Sequence, residues 1–472
     1  MLCLFTVIVV VNILTLSKVS NIILTIPQYI WVFYLIFKND LRSATIFHFC
    51  FFILSLSAQK TLGMMDGAEF SLYNYGTIKL IGPIRAAYLI NIILVILCLT
   101  LKLKPRKDLL FFKFFKVMMF IGATGSVIGI IGIIFHPYYT IDGFVGPVIY
   151  MFVVLSSCYI LLCLATERFI ETCYHISIIS TMAGIFASYL CYSVFGVVSS
   201  YSTYDIIYCA DCMWFAAILI AGVLFIKEKF YLILSLIVYV LISINIMEGK
   251  SVFNAVFAFC CLVYYVFFDR DVKRKYVSEV RFMKIVVLLI GLYAATHIAL
   301  SSDTMALYKI QSALSIFSMD IDNMANSPYI RFASLMNILN DGLHNPFTLI
   351  FGNGYGGYFE DNLNLFYGLD LSDGAWPDSV ISTGRFPNGH DTMVNVPLYN
   401  GLLGFYLICK ICILYTKNIK NNFLSCVAFM WIFLMFYFNT IFAVMGVVFL
   451  FGAEYNYRGY PYHDQIISNI KQ

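Results

Sequence analysis

The stretch Leu109–Phe135, LLFFKFFKVMMFIGATGSVIGIIGIIF, decides the fold class of this chain. It is almost entirely apolar and exceeds the roughly 20 residues that a helix needs to cross a bilayer. The whole chain is 61% hydrophobic and only 12% charged, whereas soluble domains carry about 25% charged residues. The sequence therefore predicts an all-α polytopic membrane protein.

Similar apolar runs recur along the chain and predict about 12–14 transmembrane helices, about eleven of them before residue 300. The runs are Leu2–Leu16, Ile22–Phe37, Ala44–Ser57, Ile84–Leu101, Leu109–Phe135, Val148–Ala165, Ile176–Val198, Trp214–Ile226, Phe230–Ile246, Val252–Phe268, Met283–Leu300, Val394–Tyr415 and Leu424–Phe451. The last run fits either one tilted helix or two short segments folded back at Asn439. The first run lacks a positive n-region and a cleavage site, which favours a retained span over a removable signal peptide.

Lysine and arginine are concentrated in alternate loops, for example Lys102–Lys107 and Arg270–Arg281. Cytoplasmic loops of membrane proteins carry such an excess. The alternation predicts a cytoplasmic N-terminus and an extracytoplasmic loop over residues 301–391. The resulting organisation is N-terminal transmembrane helices in 1–300, a large loop with short helices in 301–391, transmembrane helices in 392–455 and a polar tail in 456–472.

The large loop has its own internal pattern. Tyr329–Leu339 has apolar residues at helical spacing, and Gly342 predicts the end of that helix. Phe351–Gly357 is a glycine-rich turn, and Ser372–Gly389 is predicted to be irregular. A loop of this length inside a compact chain usually has a function.

Two side chains of the loop suit chemistry at a membrane surface. Arg331 and Leu335 share one face of the predicted helix, which would anchor a guanidinium fork suited to phosphate oxygens. His390 precedes a helix that begins near Thr392, and a helix N-terminus favours the neutral imidazole that accepts protons. The alternatives are an ordinary interfacial arginine and an interfacial histidine without a role.

Further groups could assist in binding an anion. Lys250 and Arg385 are the other candidate phosphate ligands on the predicted outer face, although Lys250 can equally be a snorkelling interfacial lysine. Gly352 and Gly354 belong to a segment that matches G-x-G-x-x-G, but no strand precedes it and the nucleotide interpretation is rejected. A turn whose N–H groups approach an anion and a simple flexible turn both remain open.

Other partners and cofactors are not predicted. Asp320 and Asp322 could hold a divalent metal, but no further carboxylates stand at ligand spacing, so neither a metal nor another cofactor is expected. Cys209 and Cys212 are too few for a zinc site and favour a disulfide or packed thiols. The chain has no basic patch with interleaved aromatic residues, which excludes nucleic acid as a partner.

These motifs together resemble those of the bacterial O-antigen polymerases and O-antigen ligases, membrane glycosyltransferases of the GT-C type. Arg331 and Leu335 match the R-x3-L motif of their large periplasmic loop, and His390 to Gly401 matches the H-x10-G motif. The resemblance covers about Tyr329 to Gly404 and the hydropathy plan. Lys250 stands where the ligases have an arginine.

The resemblance implies an inverting, metal-independent glycosyltransferase in the bacterial inner membrane. Its substrate would be a polyprenyl-pyrophosphate-linked oligosaccharide, polymerised at the periplasmic face among membrane lipids, with a chain-length regulator and a flippase as further partners. His390 and Arg331 would be catalytic, and Arg331, Lys250 and Arg385 would bind pyrophosphate. The alternatives are an O-antigen ligase that transfers glycan to lipid A-core and a lipid-linked oligosaccharide flippase or transporter.

Overall fold

A computed structural model describes residues 18–55, 75–166, 284–293, 326–367, 378–389, 392–418 and 440–457, short strands at 61–64, 69–71 and 197–199, and a few single positions. The described elements, in chain order, are α1 (Lys18–Phe37), α2 (Leu41–Leu54), β1 (Thr61–Met64), β2 (Glu69–Ser71), β3 (Lys79–Ile81), β4 (Ile84–Arg85), α3 (Ala86–Thr100), α4 (Leu110–Phe135), α5 (Ile141–Leu164), β5 (Val197–Ser199), α6 (Asn326–His344), α7 (Pro346–Phe351), β6 (Phe359–Glu360), α8 (Asp378–Thr383), β7 (Arg385–Phe386), α9 (Thr392–Asn418) and α10 (Thr440–Tyr457). The helices dominate, as predicted.

Three of the described helices are long and apolar enough to cross a membrane. They are α4 over Leu110–Phe135, α5 over Ile141–Leu164 and α9 over Val394–Lys417. Helix α4 begins one residue after the predicted run and ends with it. The protein is therefore a mostly helical membrane protein, and α1, α2 and α3 are shorter apolar helices of the same chain.

Short strands add to the predicted all-helical architecture. β1 pairs antiparallel with β2 on one side and with β5 on the other, and β3 pairs with β4. Within the segment predicted to be irregular, α8 and β7 are regular, and β7 pairs antiparallel with β6. This last strand pair places Glu360 opposite Arg385.

Two helix boundaries differ from the sequence prediction for identifiable reasons. Helix α5 begins at Ile141, before the predicted Val148, because the Thr140 side chain accepts a hydrogen bond from the Gly143 N–H at 3.1 Å. Helix α6 continues through Gly342 to His344. Gly342 packs against Leu349 of α7, where an added Cβ would lie 2.8 Å from a leucine methyl group, so this glycine serves close packing.

The loops at one end of the bundle can be traced through their contacts. Ser55 at the end of α2 accepts a hydrogen bond from the Gly76 N–H at 2.7 Å, so the α1–α2 loop with Lys38 lies at the opposite end. The Arg106 N–H donates to the Leu162 carbonyl at 3.2 Å. Helix α3 begins beside the Gly76 loop, where the Ala86 N–H donates to the Ile78 carbonyl at 2.9 Å. Its last residues and the loop 101–109 therefore lie at the same end as residues 38–40, and residues 136–140 lie at the other end of α4.

The N-terminus of α4 is closed by a carboxylate from the far end of the chain. Glu454 of α10 is only 3% exposed, and its two oxygens accept hydrogen bonds from the N–H groups of Leu110 and Phe111. The first N–H groups of a helix have no partner within the helix. A negative charge at this position also complements the helix dipole.

We expect Glu454→Ala to lower the free energy of unfolding by about 2 kcal/mol or more, because two buried N–H groups lose their acceptor. The exposed cap of α2, where Asp40 accepts from the Ser43 N–H at 3.1 Å, gives the control. Asp40→Ala should cost only about 1 kcal/mol. Thermal unfolding of the two variants in the same detergent measures the difference, and equal losses would contradict the assigned role of Glu454.

Candidate functional site

The glycine turn, residues Gly352–Gly357, follows α7 directly. Gly352, Gly354 and Gly356 have φ values of 77°, 71° and 84°, a region that residues with a Cβ rarely occupy. The predicted glycine-rich turn is confirmed at this position. Its alternating positive φ values fold the backbone tightly enough to enter the space between α4 and α9.

Helix α9 is interrupted where the glycine turn meets it. Gly401 has φ 60° and ψ −163°, which is not helical. In a continuous helix the carbonyls of Leu398 and Tyr399 would accept from residues 402 and 403. Here they accept from the N–H groups of Asn353 at 2.7 Å and Gly354 at 3.1 Å, so the turn satisfies the carbonyls at the break.

The turn and the break touch at the level of the backbone. A Cβ added to Gly352 would lie 2.4 Å from the Asn400 nitrogen, and one added to Gly401 would lie 2.4 Å from the Ile350 carbonyl oxygen. No side chain fits at either position without moving backbone. Gly401, the last residue of the H-x10-G pattern, is therefore required by the packing of the glycine turn.

The other side of the turn rests on α4. The Tyr355 N–H donates to the Gly125 carbonyl at 2.9 Å, and a Cβ on Gly354 would lie 2.4 Å from the Gly129 nitrogen. Near the end of α4, the Tyr139 hydroxyl donates to the Asn353 carbonyl at 2.8 Å. Burial, followed by the nearby Tyr358, raises the pKa of Tyr139 to about 12, which keeps this hydroxyl protonated as a donor.

These contacts place the turn beside α4, well before the end of that helix. Gly125 lies ten residues before the end of α4 at Phe135, which is roughly 15 Å along the helix axis. Irregular backbone is tolerated at such depth only where protein or a water-filled cavity surrounds it. The glycine turn therefore enters the helix bundle beside α4, although the sequence predicts it within an extramembrane loop.

This geometry bears directly on two predicted anion ligands. The Gly352 N–H donates to the Thr348 carbonyl at 2.8 Å, and the Gly354 N–H donates to Tyr399. Both amides already have acceptors within the protein. The structure therefore gives Gly352 and Gly354 a packing role in place of the predicted anion-binding role.

Arg331 and Leu335 are both half-buried on α6, which packs against α7 and α9. The adjacent buried face of α6 is held by Asn337, whose amide nitrogen donates to Asp361 at 2.8 Å and whose oxygen accepts from the Leu363 N–H at 3.0 Å. These bonds fix the rotation of α6 relative to the loop. Arg331 consequently lies on a helix whose orientation is fixed.

Arg385 is held near the 136–140 end of the helices by a carboxylate and two aromatic rings. Its Nε donates to Glu360 at 3.0 Å, and the two side chains are 31% and 44% exposed. The guanidinium carbon lies 3.4 Å from the ring centroid of Tyr138 and 5.8 Å from that of Tyr358. The charge of Arg385 is therefore oriented and partly matched by Glu360.

His390 lies outside the described residues, but both sides of it are fixed. The Gly389 N–H donates to the Asn395 side chain at 2.8 Å, and the Tyr399 hydroxyl donates to the Pro387 carbonyl at 2.6 Å. The segment before His390 is thus tied to the first turns of α9.

Other predictions fall on residues outside the described part of the chain. They concern Lys250, Asp320, Asp322, Cys209, Cys212, the first predicted span Leu2–Leu16 and the fold-back at Asn439. Within the described ranges, no group of three His, Cys, Asp or Glu side chains could hold a metal ion. Of the predicted site and motif residues, the structure brings together Gly352, Gly354 and Gly401.

Sequence reasoning did not single out a buried polar network around His48. Its Nε2 lies 2.6 Å from the Asn91 amide oxygen, and its Nδ1 lies 2.7 Å from the Tyr75 hydroxyl. Because an amide oxygen only accepts, Nε2 carries the hydrogen and Nδ1 accepts from Tyr75. The Asn91 nitrogen then donates to Ser156 at 3.0 Å, which joins α2, α3 and α5.

The sequence did contain a signal for this network. A histidine within the apolar run Ala44–Ser57 and an asparagine within Ile84–Leu101 are costly in a membrane unless they are paired. His48 and Asn91 are both fully buried, and the spacing of the two runs does not reveal that they meet.

The interlocked glycines give a first prediction for this site. Gly401→Ala and Gly354→Ala should each lower the free energy of unfolding by about 2 kcal/mol or more, through positive φ and backbone overlap. Gly146 of α5 has no neighbour within 4 Å of an added Cβ, so Gly146→Ala should be neutral or stabilising. Monodisperse yield and thermal unfolding would test this, and wild-type stability of Gly401→Ala would refute the interlock.

Tyr355 gives a second prediction, in the opposite direction. Its buried hydroxyl has no hydrogen-bond partner among the described residues, whereas that of Tyr139 has one. Tyr355→Phe should raise the free energy of unfolding or leave it unchanged, because an unpaired buried hydroxyl costs about 1–3 kcal/mol. Tyr139→Phe should lower it by about 1 kcal/mol. Thermal unfolding measures both, and a clear loss for Tyr355→Phe would mean that this hydroxyl is bonded.

Comparison of the chain with protein-family models, with curated proteins and with solved structures found no match in any of the three.

Proposed function

We propose that this chain is a membrane glycosyltransferase that polymerises polyprenyl-pyrophosphate-linked oligosaccharide repeat units, as in O-antigen synthesis. The observation that carries the proposal is the packing of α6 against α9. Arg331 lies on the first of these helices, and His390 immediately precedes the second. The glycine turn contacts both α9 and α4, so α6 and α9, which carry the two motifs, pack on one rigid support.

The proposed reaction needs no nucleotide and no metal. An acceptor sugar hydroxyl attacks the anomeric carbon of the donor, a C–O bond forms, and the bond to the polyprenyl pyrophosphate breaks with inversion. His390 takes the proton from the attacking hydroxyl, a contribution typically worth about 10²–10⁴ in rate. Arg331 and Lys250 stabilise the charge that develops on the leaving pyrophosphate.

Arg385 has a more specific role in this proposal. Its guanidinium is already oriented by Glu360 and stacked on Tyr138, so a pyrophosphate oxygen competes with the Glu360 carboxylate for it. A preoriented fork loses less side-chain entropy on binding than a free one does. The competition makes the affinity for the donor depend on both members of the pair.

The backbone carbonyls at the break in α9 already have hydrogen-bond donors, which argues against the transporter alternative. Transporters also use interrupted helices, but their unwound carbonyls coordinate the transported ion or substrate. Here the carbonyls of Leu398 and Tyr399 are occupied by N–H groups of the glycine turn. The interruption therefore serves packing, and a fixed catalytic surface at the rim is the better explanation.

The proposed setting is the bacterial inner membrane, with a GT-C-type arrangement, a cytoplasmic N-terminus and the large loop in the periplasm. It is supported by basic residues at the end of the bundle that carries residues 38–40 and 101–109. The glycine turn contacts residues 139–143 at the opposite end. A chain-length regulator and a flippase are the expected partners, and the O-antigen ligase is the nearest alternative function.

We expect His390→Ala and Arg331→Ala to reduce elongation by the purified protein by at least about 100-fold, through loss of the base and of charge stabilisation. The assay follows the length of polyprenyl-pyrophosphate-linked glycans in detergent without an ion gradient. His344→Ala is the control, because His344 is exposed on α6 and its ring bonds the local Asn340 carbonyl at 2.8 Å.

Wild-type elongation by the His390 variant would overturn the proposal. In cells that carry the chain as their only copy, loss of a polymerase leaves single-unit lipopolysaccharide on a gel. Loss of a ligase leaves no attached units, and that pattern would replace the polymerase with the ligase.

The Glu360–Arg385 pair gives a separate prediction. Arg385→Ala should raise KM for the lipid-linked donor about 10-fold or more, since a charge-assisted hydrogen bond is worth about 1.5–3 kcal/mol. Glu360→Gln removes the competing charge and should lower KM or leave it unchanged. If both variants raise KM equally with matching losses of thermal stability, the pair holds the loop and does not bind the donor.

A further inference from the structure

A cavity of about 740 Å³ lies at the end of the bundle opposite the glycine turn. It is formed by the loop 101–109 and the adjoining ends of α3 and α5. Helix α4 has 26 residues and is roughly 39 Å long at 1.5 Å per residue. The cavity is therefore remote from the proposed catalytic rim and does not depend on the proposed function.

The rim of this cavity is strongly basic. Lys102, Lys104 and Lys107 line it and are exposed, whereas one acidic residue, Asp108, appears among its lining residues. Arg106 is half-buried, donates to the Ala165 carbonyl and lies 5.7 Å from the Phe451 ring centroid. Arg106 thus fixes the loop, while the three lysines present their charge to a ligand.

The backbone holds Lys102 in an unusual conformation that directs it to the rim. Helix α3 ends in a Schellman arrangement, in which the Leu103 N–H donates to Cys98 at 2.9 Å and the Lys102 N–H donates to Leu99 at 3.0 Å. Lys102 occupies the left-handed position with φ 52°, where glycine is usual. A lysine here costs stability that a glycine would not.

The wall of the cavity is apolar and reaches the lipid-facing surface. Cys98, Leu99, Leu103 and Tyr159 line it below the lysines, and Leu99 is 58% exposed on the outer side of α3. A small soluble anion would use the charged rim and leave this wall unfilled. A phospholipid fills both, with its phosphate at the lysines and its acyl chains along α3.

We infer that the cavity at loop 101–109 binds an anionic phospholipid through its headgroup phosphate. Clusters of basic residues beside a membrane helix attract anionic lipids, and the apolar wall of this open cavity adds a place for acyl chains to that general attraction. Arg106 ties this loop to the end of α5, so a lipid bound at the loop would brace the end of the bundle.

The test is native mass spectrometry of the purified full chain in neutral detergent, with phosphatidylglycerol or phosphatidylcholine of equal chain length. The wild type should bind phosphatidylglycerol at least about tenfold more tightly. The triple variant Lys102→Gln, Lys104→Gln, Lys107→Gln should lose that preference. The control variant Lys38→Gln, Arg42→Gln, Lys417→Gln removes three exposed charges outside the cavity and should keep it.

Lys102→Gly separates ligand binding from folding. It removes one charge but relieves the left-handed strain. The variant should therefore unfold at the same or a higher temperature than the wild type, yet bind phosphatidylglycerol more weakly than the wild type does. Equal losses in the cavity and control variants would overturn the inference, because they indicate general surface attraction. So would full competition by soluble glycerol phosphate, which indicates a site for free phosphate and not for a lipid.

Discussion

The structure depends on one constraint, the need of every backbone polar group at membrane depth to find a partner within the protein. The break at Gly401 leaves helix carbonyls without their usual donors. The glycine turn supplies those donors from a segment some 45 residues earlier in the chain. Because the turn and the break approach within contact distance, Gly352 and Gly401 cannot carry side chains, and Gly354 cannot carry one because it lies against the backbone of α4.

This interlock positions the elements that carry the candidate chemistry. Tyr355 ties the turn to α4, and Asn400 ties the break to the same helix by donating to the Ile121 carbonyl at 2.9 Å. The start of α9, the helix that carries Arg331 and the strand pair that carries Arg385 lie around this interlock. A rigid base of this kind is what the proposed chemistry requires, because orientation accounts for much of what an enzyme gains.

The same constraint explains the polar groups buried elsewhere in the bundle. His48 and Asn91 share a chain of donors and acceptors, and Glu454 closes the first turn of α4. Both arrangements join helices that are far apart in sequence. The two ends of the bundle differ in character: one carries aromatic rings and the Glu360–Arg385 pair, and the other carries the basic loop around Lys102.

The sequence by itself determined the membrane class, the bounds of α4 within one residue and the presence of the glycine turn, because hydropathy and positive φ are local properties. Only the tertiary structure decided that α9 breaks at Gly401, that the turn enters the bundle and that Arg385 pairs with Glu360. Each of these depends on contacts between distant segments, such as that between Tyr139 and Asn353. The sequence shows which residues are present and how far apart they lie along the chain, and packing decides which of them come into contact.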